Sequence, residues 1–389
     1  MKRSHSFFKN QACDPEFECL RSASPLVFLY HLNVIMSGGN GALVQLVSKG
    51  AQDVYVTDSV RGEFPFKTMY SRYRNFAQVP KKLSFLGQIQ AGGSCILQIQ
   101  NIGDLLTGMW LEGPEGLSNV LAGSKFELYI GGQMIDSQTT DYMTEIWQAF
   151  LPETQAKSET WNNLVSTTND TFFPLHFFFC DNDMFLPLLA LQYHPVEIRI
   201  TWGPHVTPSS VTAAFGNFVF LDTKDRDEFT KKPLDILVTQ VQRMPVTNPN
   251  NIDLSTLNHP VKAVFFGTPL SSPSTFTFDS IDILLNGTYL LEQMSPTYFY
   301  TAQVYYNTKH GVTTFDAVTK TPKYTHYFMY SFGLDASNYR PTGTCNFSRL
   351  DNAKMNVSNP QGTTDVLLYA INYNVLHIEK GLGGVLFGN

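Results

Sequence analysis

Hydrophobic and polar positions form short runs along most of the chain, and Gly, Pro, Asn and Asp interrupt them. From Met36 onward the runs are about five to ten residues long and rich in aromatic and β-branched residues, as strands are. Many short strands at this spacing predict a β-sandwich or jelly roll. The strand candidates are QDVYVT, KKLSFLGQIQ, SCILQIQ, SKFELYIGG, FPLHFFF, VEIRITW, NFVFLD, LDILVTQVQR, HPVKAVFFG, STFTFDSIDILLNG, YFYTAQVYYN, THYFMYSFGL, GTCNFSRL and TTDVLLYAINYNVLHIEKG.

Two stretches in the first half add a helix and a turn to this pattern. TTDYMTEIWQAF predicts a helix that Thr139 or Thr140 caps and that carries acidic residues in its first turns. Gly131 and Gly132 lie between two strand-like runs, and paired glycines at such a point predict a β-hairpin.

The distribution of charge predicts the domain organisation. Eight charged residues crowd into the twelve residues from Asp222 to Pro233, which is typical of a surface connector. We therefore expect an arm and first jelly roll over 36–222, a charged connector over 223–233, and a second jelly roll with a C-terminal tail over 234–389. Residues 1–35 form an N-terminal extension that we expect to be disordered or absent from the mature protein. A cleaved signal, a membrane-associated arm and a structural arm stay open as alternatives for it.

Composition narrows the class of protein. Hydrophobic residues make up 43% of the chain, whereas charged residues make up only 15%, so we expect interaction partners to cover much of the surface. The net charge is −6 and the chain contains no run of five or more basic residues. This argues against direct nucleic-acid binding, which usually requires a basic patch.

One stretch, FPLHFFFCDNDMFLPLLALQYHPVEIRI, collects side chains that could bind a metal: His176, Cys180, Asp181, Asp183 and His194. Its alternation instead favours a buried strand with His176 and Cys180 on one face, followed by a polar turn and a second buried segment. No GxSxG, HExxH, P-loop or dinucleotide-binding motif occurs elsewhere in the sequence. We expect no catalytic residues, no metal site and no cofactor.

Cysteines and glycosylation signals carry little further chemistry. The five cysteines, an odd number without a CxxC pair, indicate buried thiols in a reducing compartment, not a disulfide framework. Four Asn-x-Ser/Thr signals are possible glycosylation sites, and they lie at Asn169, Asn286, Asn346 and Asn356.

Several long stretches resemble a known family, the major capsid proteins of nucleocytoplasmic large DNA viruses, which include phycodnaviruses, iridoviruses and marseilleviruses. In YSRYRNF, the residues Tyr70, Arg72, Asn75 and Phe76 match the family's motif. The other stretches that carry the resemblance are GALVQLVSKGAQDVYVT, FELYIGGQMIDSQTTDYMTEIW, FPLHFFFCDNDMFLPLLALQYHPVEIRI, FVFLDTKDRDEF, LNHPVKAVFF, YSFGLDASNYRPTGTCNFSRLDNAKM and YAINYNVLHIEKGLGGVLFGN.

The resemblance implies an all-β chain of two tandem eight-stranded antiparallel jelly rolls, a double jelly roll, with a few short helices in loops. It implies a structural protein without enzyme activity. Homotrimers would form pseudo-hexagonal capsomers that tile an icosahedral shell around an internal membrane and a double-stranded DNA genome. It also implies location in the virion, with assembly in the host cytoplasm at viral factories.

The resemblance also implies roles for particular residues and partners. The expected structural core residues are Phe178, Cys180, Leu188, Leu191, Ile198, Phe265, Phe328 and Cys345. The expected assembly arm, for which contact with the internal viral membrane is a further expectation, contains Leu43, Val44, Leu46 and Val47. Besides copies of the chain itself, the expected partners are minor capsid and penton proteins.

Two alternative functions stay open at this point. The same fold could serve as a transient scaffold for viral membrane assembly, which would be absent from mature particles. A jelly roll also occurs in carbohydrate-binding proteins, because one fold hosts many functions.

Overall fold

The computed structural model describes residues 44–57, 72–166, 169–308 and 326–388, apart from Gln45. The chain divides into a unit that ends at Tyr73 and a unit that runs from Arg74 to Asn389. The expected extension over 1–35 and Leu43 of the expected arm lie outside the described residues. In the described part, no helix is long and apolar enough to cross a membrane.

The first unit contains a short helix where the sequence predicted a strand. Helix α1 spans Asp53–Val56, within QDVYVT. The Asp53 carboxylate accepts a hydrogen bond from Gly50 N–H at 2.6 Å, and Thr57 N–H donates to Asp53 O at 2.8 Å. These local bonds close a single helical turn and leave Tyr55 and Val56 exposed. The strand prediction for this stretch was therefore wrong.

The first jelly roll consists of two antiparallel sheets. Sheet 1 contains, in spatial order, β1 (Phe76–Leu83), β9 (Ala213–Leu221), β4 (Leu105–Glu112) and β7 (Phe172–Pro174). Sheet 2 contains, in spatial order, β2 (Phe85–Gly87), β3 (Ser94–Ile99), β8 (Val196–Thr201), β5 (Lys125–Ile130) and β6 (Gln133–Thr139).

The second jelly roll repeats this topology. Sheet 3 contains, in spatial order, β10 (Leu234–Pro245), β18 (Leu367–Glu379), β12 (Pro260–Gly267) and β15 (Tyr327–Ser331), with β16 (Cys345–Asn346) on β12 and β19 (Leu382–Val385) on β18. Sheet 4 contains, in spatial order, β11 (Asn251–Asp253), β17 (Ala353–Ser358), β13 (Ser280–Leu285) and β14 (Thr288–Met294). Apart from the short strands β2, β16 and β19, each roll has eight main strands, which can be numbered 1 to 8 along the chain. In both rolls their order is then 1-8-3-6 in one sheet and 2-7-4-5 in the other. The expected tandem pair of eight-stranded jelly rolls is thus confirmed.

Short helices lie in the connections between strands. They are α2 (Leu117–Val120), α3 (140–150, with a π-helical segment Tyr142–Trp147), α4 (Gln155–Ser166), α5 (Thr223–Lys231), α6 (296–307, with a π-helical segment Tyr298–Ala302) and 3-10 turns at Phe178–Cys180, Leu188–Ala190 and Phe347–Arg349.

Helix α3 and the hairpin before it were both predicted from sequence. Gly131 and Gly132 form the turn between β5 and β6 with positive φ angles of 57° and 83°, as predicted. The predicted helix is also present, but the capping prediction was wrong. Thr139 is the last residue of β6, and the Thr140 hydroxyl donates to Leu121 O at 2.7 Å, whereas a capping hydroxyl accepts a hydrogen bond from an N–H group of its own helix.

Two strand predictions failed because the buried positions do not alternate. In FPLHFFF only the first two residues are strand, at the end of β7 (Phe172–Pro174), and a 3-10 turn follows at Phe178–Cys180. Three consecutive residues there, Phe177, Phe178 and Phe179, are all buried. The expected strand face shared by His176, Phe178 and Cys180 is therefore absent. YFYTAQVYYN forms helix α6, where Phe299, Gln303 and Val304 are buried at a helical spacing.

The charged connector is helical. The Asp222 carboxylate accepts a hydrogen bond from Thr223 N–H at 2.7 Å at the start of α5. Lys231 pairs with Asp227 at 2.6 Å, four residues earlier, which supports the exposed helix. Arg226 reaches back to the start of β4, where its guanidinium donates two hydrogen bonds to Asp104 at 2.9 and 2.7 Å.

The core has two clusters, and sheet 3 lies between them. Phe265 of β12 belongs to the cluster shared with the first roll, whereas its neighbour Phe266 points into the second roll. Sheet 3 is therefore buried on both faces, which explains the unbroken apolar run in β12. Of the expected core residues, the structure buries Phe178, Leu188, Leu191, Ile198, Phe265 and Phe328 almost completely and leaves Cys180 and Cys345 half-buried at the edges of the clusters.

The C-terminal tail joins the two rolls. Strand β19 extends sheet 3. Its Val385 N–H donates to Gln133 Oε1 of the first roll at 3.2 Å. Tyr193 N–H donates to Gly381 O at 3.0 Å, and His194 Nδ1 lies 2.8 Å from Gly383 O.

Candidate functional site

The side chains considered for a metal site have separate structural roles instead. The His176 ring stacks on Trp147 at a centroid distance of 3.6 Å, whereas His194 contacts the C-terminal strand. Asp183 is exposed in the turn with a positive φ of 63°. Among the described residues, no three His, Cys, Asp or Glu side chains converge as metal ligands.

Burial also keeps the His176 ring and the Cys180 thiol in their uncharged forms. Burial, with a smaller effect of the Lys157 charge, lowers the pKa of His176 to about 3, so its ring is neutral. Burial raises the pKa of the Cys180 thiol to about 12. A thiol that stays protonated is a poor nucleophile, so both residues behave as packing groups.

A hydrogen-bond network links strand β6 of the first roll to strand β10 of the second. The Asp136 carboxylate accepts bonds from Val241 N–H at 2.8 Å and from the Gln138 amide at 2.7 Å. Burial raises the pKa of Asp136 to about 6, an effect that these donors oppose. The Gln240 amide donates to Ile135 O on the same strand edge. The network fixes the register of the two rolls, since an unpaired polar group there would be costly.

Helix α3 provides the apolar part of the contact between the rolls. Phe150 packs on Phe265 with ring centroids 5.5 Å apart, and Tyr142 packs on Tyr369 at 5.9 Å. The Glu145 carboxylate accepts Leu270 N–H at 3.1 Å, and burial raises its pKa to about 8. A helix from the first roll thus covers the outer face of sheet 3.

Two ionisable groups that affect each other's pKa, Lys262 and Asp181, lie at the edge of the same contact. The Lys262 ammonium donates to Asn338 O at 2.6 Å, and burial lowers the pKa of Lys262. Burial and the Glu153 charge raise the pKa of Asp181, while Lys157 and Lys262 oppose that shift. The two groups stabilise each other's charge across the junction of the rolls.

The outer face of sheet 1, in contrast, presents partly exposed aromatic rings. Trp110 stacks on Phe215 at 5.5 Å, and Phe172 lies 6.2 Å from Trp110 on the edge strand. A largely apolar groove of about 440 Å³ opens beside them, with Trp147 and Trp161 among its lining residues. We call this surface, defined by Trp110, Phe172 and Phe215 with the groove, the sheet 1 face. Sequence reasoning missed it, because the contact of Trp110 with Phe215 depends on how the distant strands β4 and β9 pair.

The expected assembly arm is apolar and exposed where it is described. Val44, Leu46 and Val47 have exposed fractions of 64%, 65% and 71%. Exposed aliphatic side chains in one short segment suit contact with another surface.

The glycosylation signals differ in accessibility. Asn169, Asn286 and Asn346 are exposed, whereas Asn356 is half-buried in β17. The side-chain oxygens of Asn286 and Asn346 accept backbone hydrogen bonds at 3.1 Å from Asn352 and Ser348 respectively. Modification of these residues stays a prediction.

Two family models match most of the second unit. A model described as "Large eukaryotic DNA virus major capsid protein" matches residues 225–384, and one described as "Major capsid protein N-terminus" matches residues 118–228. The major capsid protein of Pyramimonas orientalis virus is 30% identical over 90% of this chain and all of its own length. That of Paramecium bursaria Chlorella virus 1 is 29% identical with the same coverage.

Solved structures agree with these sequence matches. A chain of the PBCV-1 virus capsid, in a quasi-atomic model, superposes with a TM-score of 0.68 at 26% identity, covering 83% of this chain and all of that chain. The Faustovirus major capsid protein superposes with a TM-score of 0.65 at 10% identity, covering 87% and 96%, and shows the shared fold. This chain belongs to the major capsid proteins of large eukaryotic DNA viruses.

Proposed function

We propose that three copies of this chain form a pseudo-hexagonal capsomer, and that such capsomers tile an icosahedral shell around an internal membrane and the genome. The observation that carries the proposal is the internal repeat. Both rolls have the same strand order, and a buried contact involving α3 joins them. Three copies would supply six similar rolls, which suits a hexagonal outline with threefold symmetry.

The partners of the shell subunit follow from the surfaces. Low overall charge suits extensive contacts with neighbouring copies and with minor capsid and penton proteins. The exposed aliphatic arm at Val44, Leu46 and Val47 is the part of the described chain that we assign to contact beneath the shell, with the viral membrane or its proteins. We propose that assembly takes place in the host cytoplasm, at viral factories, and that the protein has no enzymatic role.

Light scattering combined with negative-stain imaging of the purified full-length chain tests the capsomer. We expect a mass of roughly 131 kDa, three times 43.7 kDa, and hexagonal outlines. A monodisperse monomer would contradict spontaneous trimerisation. Presence of the chain in mature particles separates a shell subunit from a transient scaffold.

A further inference from the structure

The two jelly rolls correspond residue by residue along their third strands. Strands β4 and β12 each carry a bulge against the last strand of their roll, at Leu106–Gly108 in β4 and at Val261–Ala263 in β12. Counting from the bulge, Trp110 of the first roll occupies the position of Phe265 in the second.

Neighbouring strands extend this correspondence across both sheets. Trp110 lies opposite Phe215 on β9, and Phe265 lies opposite Tyr369 on β18. On the other side, Trp110 pairs with Pro174 of β7, and Phe265 pairs with Met329 of β15. The outer faces of sheets 1 and 3 are therefore equivalent surfaces, each with an aromatic pair at its centre.

Helices α3 and α6 are equivalent as well. Helix α3 begins directly after β6, and helix α6 begins after β14 with one residue between them. In each helix the π-helical segment starts at the third residue, which is Tyr142 in α3 and Tyr298 in α6. Both rolls therefore carry the same irregular helix at the same place in the chain.

Contacts with the sixth strand fix the register of the two helices. Trp147 of α3 stacks on His176, two residues after Pro174 of β7. Gln303 of α6 accepts a hydrogen bond at 3.1 Å from Ser331 N–H, two residues after Met329 of β15.

Counting on from Trp147 and Gln303, Tyr306 occupies the position of Phe150. Phe150 is the residue that packs on Phe265, and that contact leaves Phe150 and Phe265 at most 2% exposed. The first roll thus docks its helix on the second roll's sheet within one chain.

The equivalent helix surface of the second roll, on α6, and the equivalent sheet surface of the first roll, the sheet 1 face, are both exposed. Tyr305 and Tyr306 at the end of α6 have exposed fractions of 77% and 76%. On the sheet 1 face, Phe172 is 37% exposed, and Trp110 and Phe215 are half-exposed beside the groove of about 440 Å³. In the described part of the chain, one surface is the exposed end of a helix, and the other is an aromatic sheet face with an open groove.

We propose that α6 of one copy docks on the sheet 1 face of the next copy, with Tyr306 over Trp110 as Phe150 lies over Phe265. The contact is head to tail, so it propagates until a ring closes. This inference rests on the proposed trimer and names the surfaces that hold it together. Aromatic residues such as these often dominate the binding energy of an interface.

Charge substitutions on either surface test the contact. Tyr306→Asp on the helix and Trp110→Glu on the sheet 1 face should each shift the full-length chain from trimer to monomer in light scattering, with association at least about tenfold weaker. The control is Tyr193→Asp, since Tyr193 is a 70% exposed tyrosine in the loop before β8, outside both surfaces. The control should remain trimeric.

Mixing the two variants gives a sharper result. A Tyr306→Asp chain keeps an intact sheet 1 face, and a Trp110→Glu chain keeps an intact helix. One good contact can therefore form between them and no second one, so the mixture should stop at a 1:1 dimer of about 87 kDa, twice 43.7 kDa. Recovery of this dimer also shows that both variants are folded.

A cysteine pair provides a direct geometric test that does not depend on weakened binding. The double variant Tyr306→Cys/Trp110→Cys should form covalent dimers and trimers on mild oxidation, whereas each single variant should not. If the parent chain is trimeric while the charge variants stay trimeric and the cysteine pair does not cross-link, the docking surface is wrong and the capsomer proposal stands. A parent chain that is not trimeric overturns the capsomer itself.

Discussion

Single buried side chains set the stability of the junction between the rolls and its dependence on pH. Glu145, Asp136 and Asp181 are carboxyl groups whose pKa values burial raises. For such a group the folded state binds a proton that the unfolded state has lost. The contribution of the protonated carboxyl to the free energy of unfolding is therefore complete below the unfolded pKa. It is lost as pH rises through the folded pKa.

Glu145 gives the clearest case, because its folded pKa is about 8 against an ordinary value of 4.5. We expect Glu145→Gln to raise the melting temperature relative to the parent by about 2–4 °C at pH 9, corresponding to roughly 1 kcal/mol. The difference should grow between pH 5 and 8 and then level off. Calorimetry across this range provides the measurement, and a constant difference would contradict the assignment.

Phe178 tests the core at the residue scale. It is 1% exposed and meets Phe179 edge-on at 5.4 Å. We expect Phe178→Asp to prevent folding or to cost more than about 4 kcal/mol, because an unpaired charge in a core is strongly unfavourable. Phe76→Asp, at a residue that is 53% exposed, is the matched control and should fold. Soluble, normally melting Phe178→Asp protein would contradict the core assignment.

At the scale of elements, the sequence predicted most strands and the hairpin, because period-two patterns report one-sided burial. The strand prediction for the α6 segment was wrong, because its many Tyr and Phe residues favour strands. Its buried residues Phe299, Gln303 and Val304 instead follow a helical spacing. The sheet 1 face could not be predicted, because the pairing of Trp110 with Phe215 depends on a strand register between distant segments. The same holds for Phe150 on Phe265.

A buried carboxylate just before β4 helps to attach helix α5 to the first roll. Asp104 is 2% exposed and accepts bonds from Arg226 and, at 2.8 Å, from Leu221 N–H. We expect Asp104→Asn to cost about 1–2 kcal/mol and to speed amide hydrogen exchange in α5. Asp227→Asn removes only an exposed ion pair with Lys231 and should leave exchange elsewhere unchanged. Unaltered α5 exchange in Asp104→Asn would show that the helix is held by other contacts.

At the scale of the whole molecule, the chain is an internal repeat whose first junction is made within the chain. Helix α3 covers sheet 3, whereas the equivalent helix α6 and the sheet 1 face stay available. The helix-on-sheet contact is thus made once within the chain, and the two surfaces for a second such contact are exposed. A molecule of this kind is suited to head-to-tail association. This arrangement links the fold to the role of a shell subunit.

Cryo-electron microscopy of the purified full-length protein would show the contact between copies. We expect a threefold-symmetric ring of six similar lobes, with α6 of each copy on the sheet 1 face of its neighbour and Tyr306 over Trp110. A twofold dimer, or a trimer in which the sheet 1 face stays exposed to solvent, would contradict this arrangement.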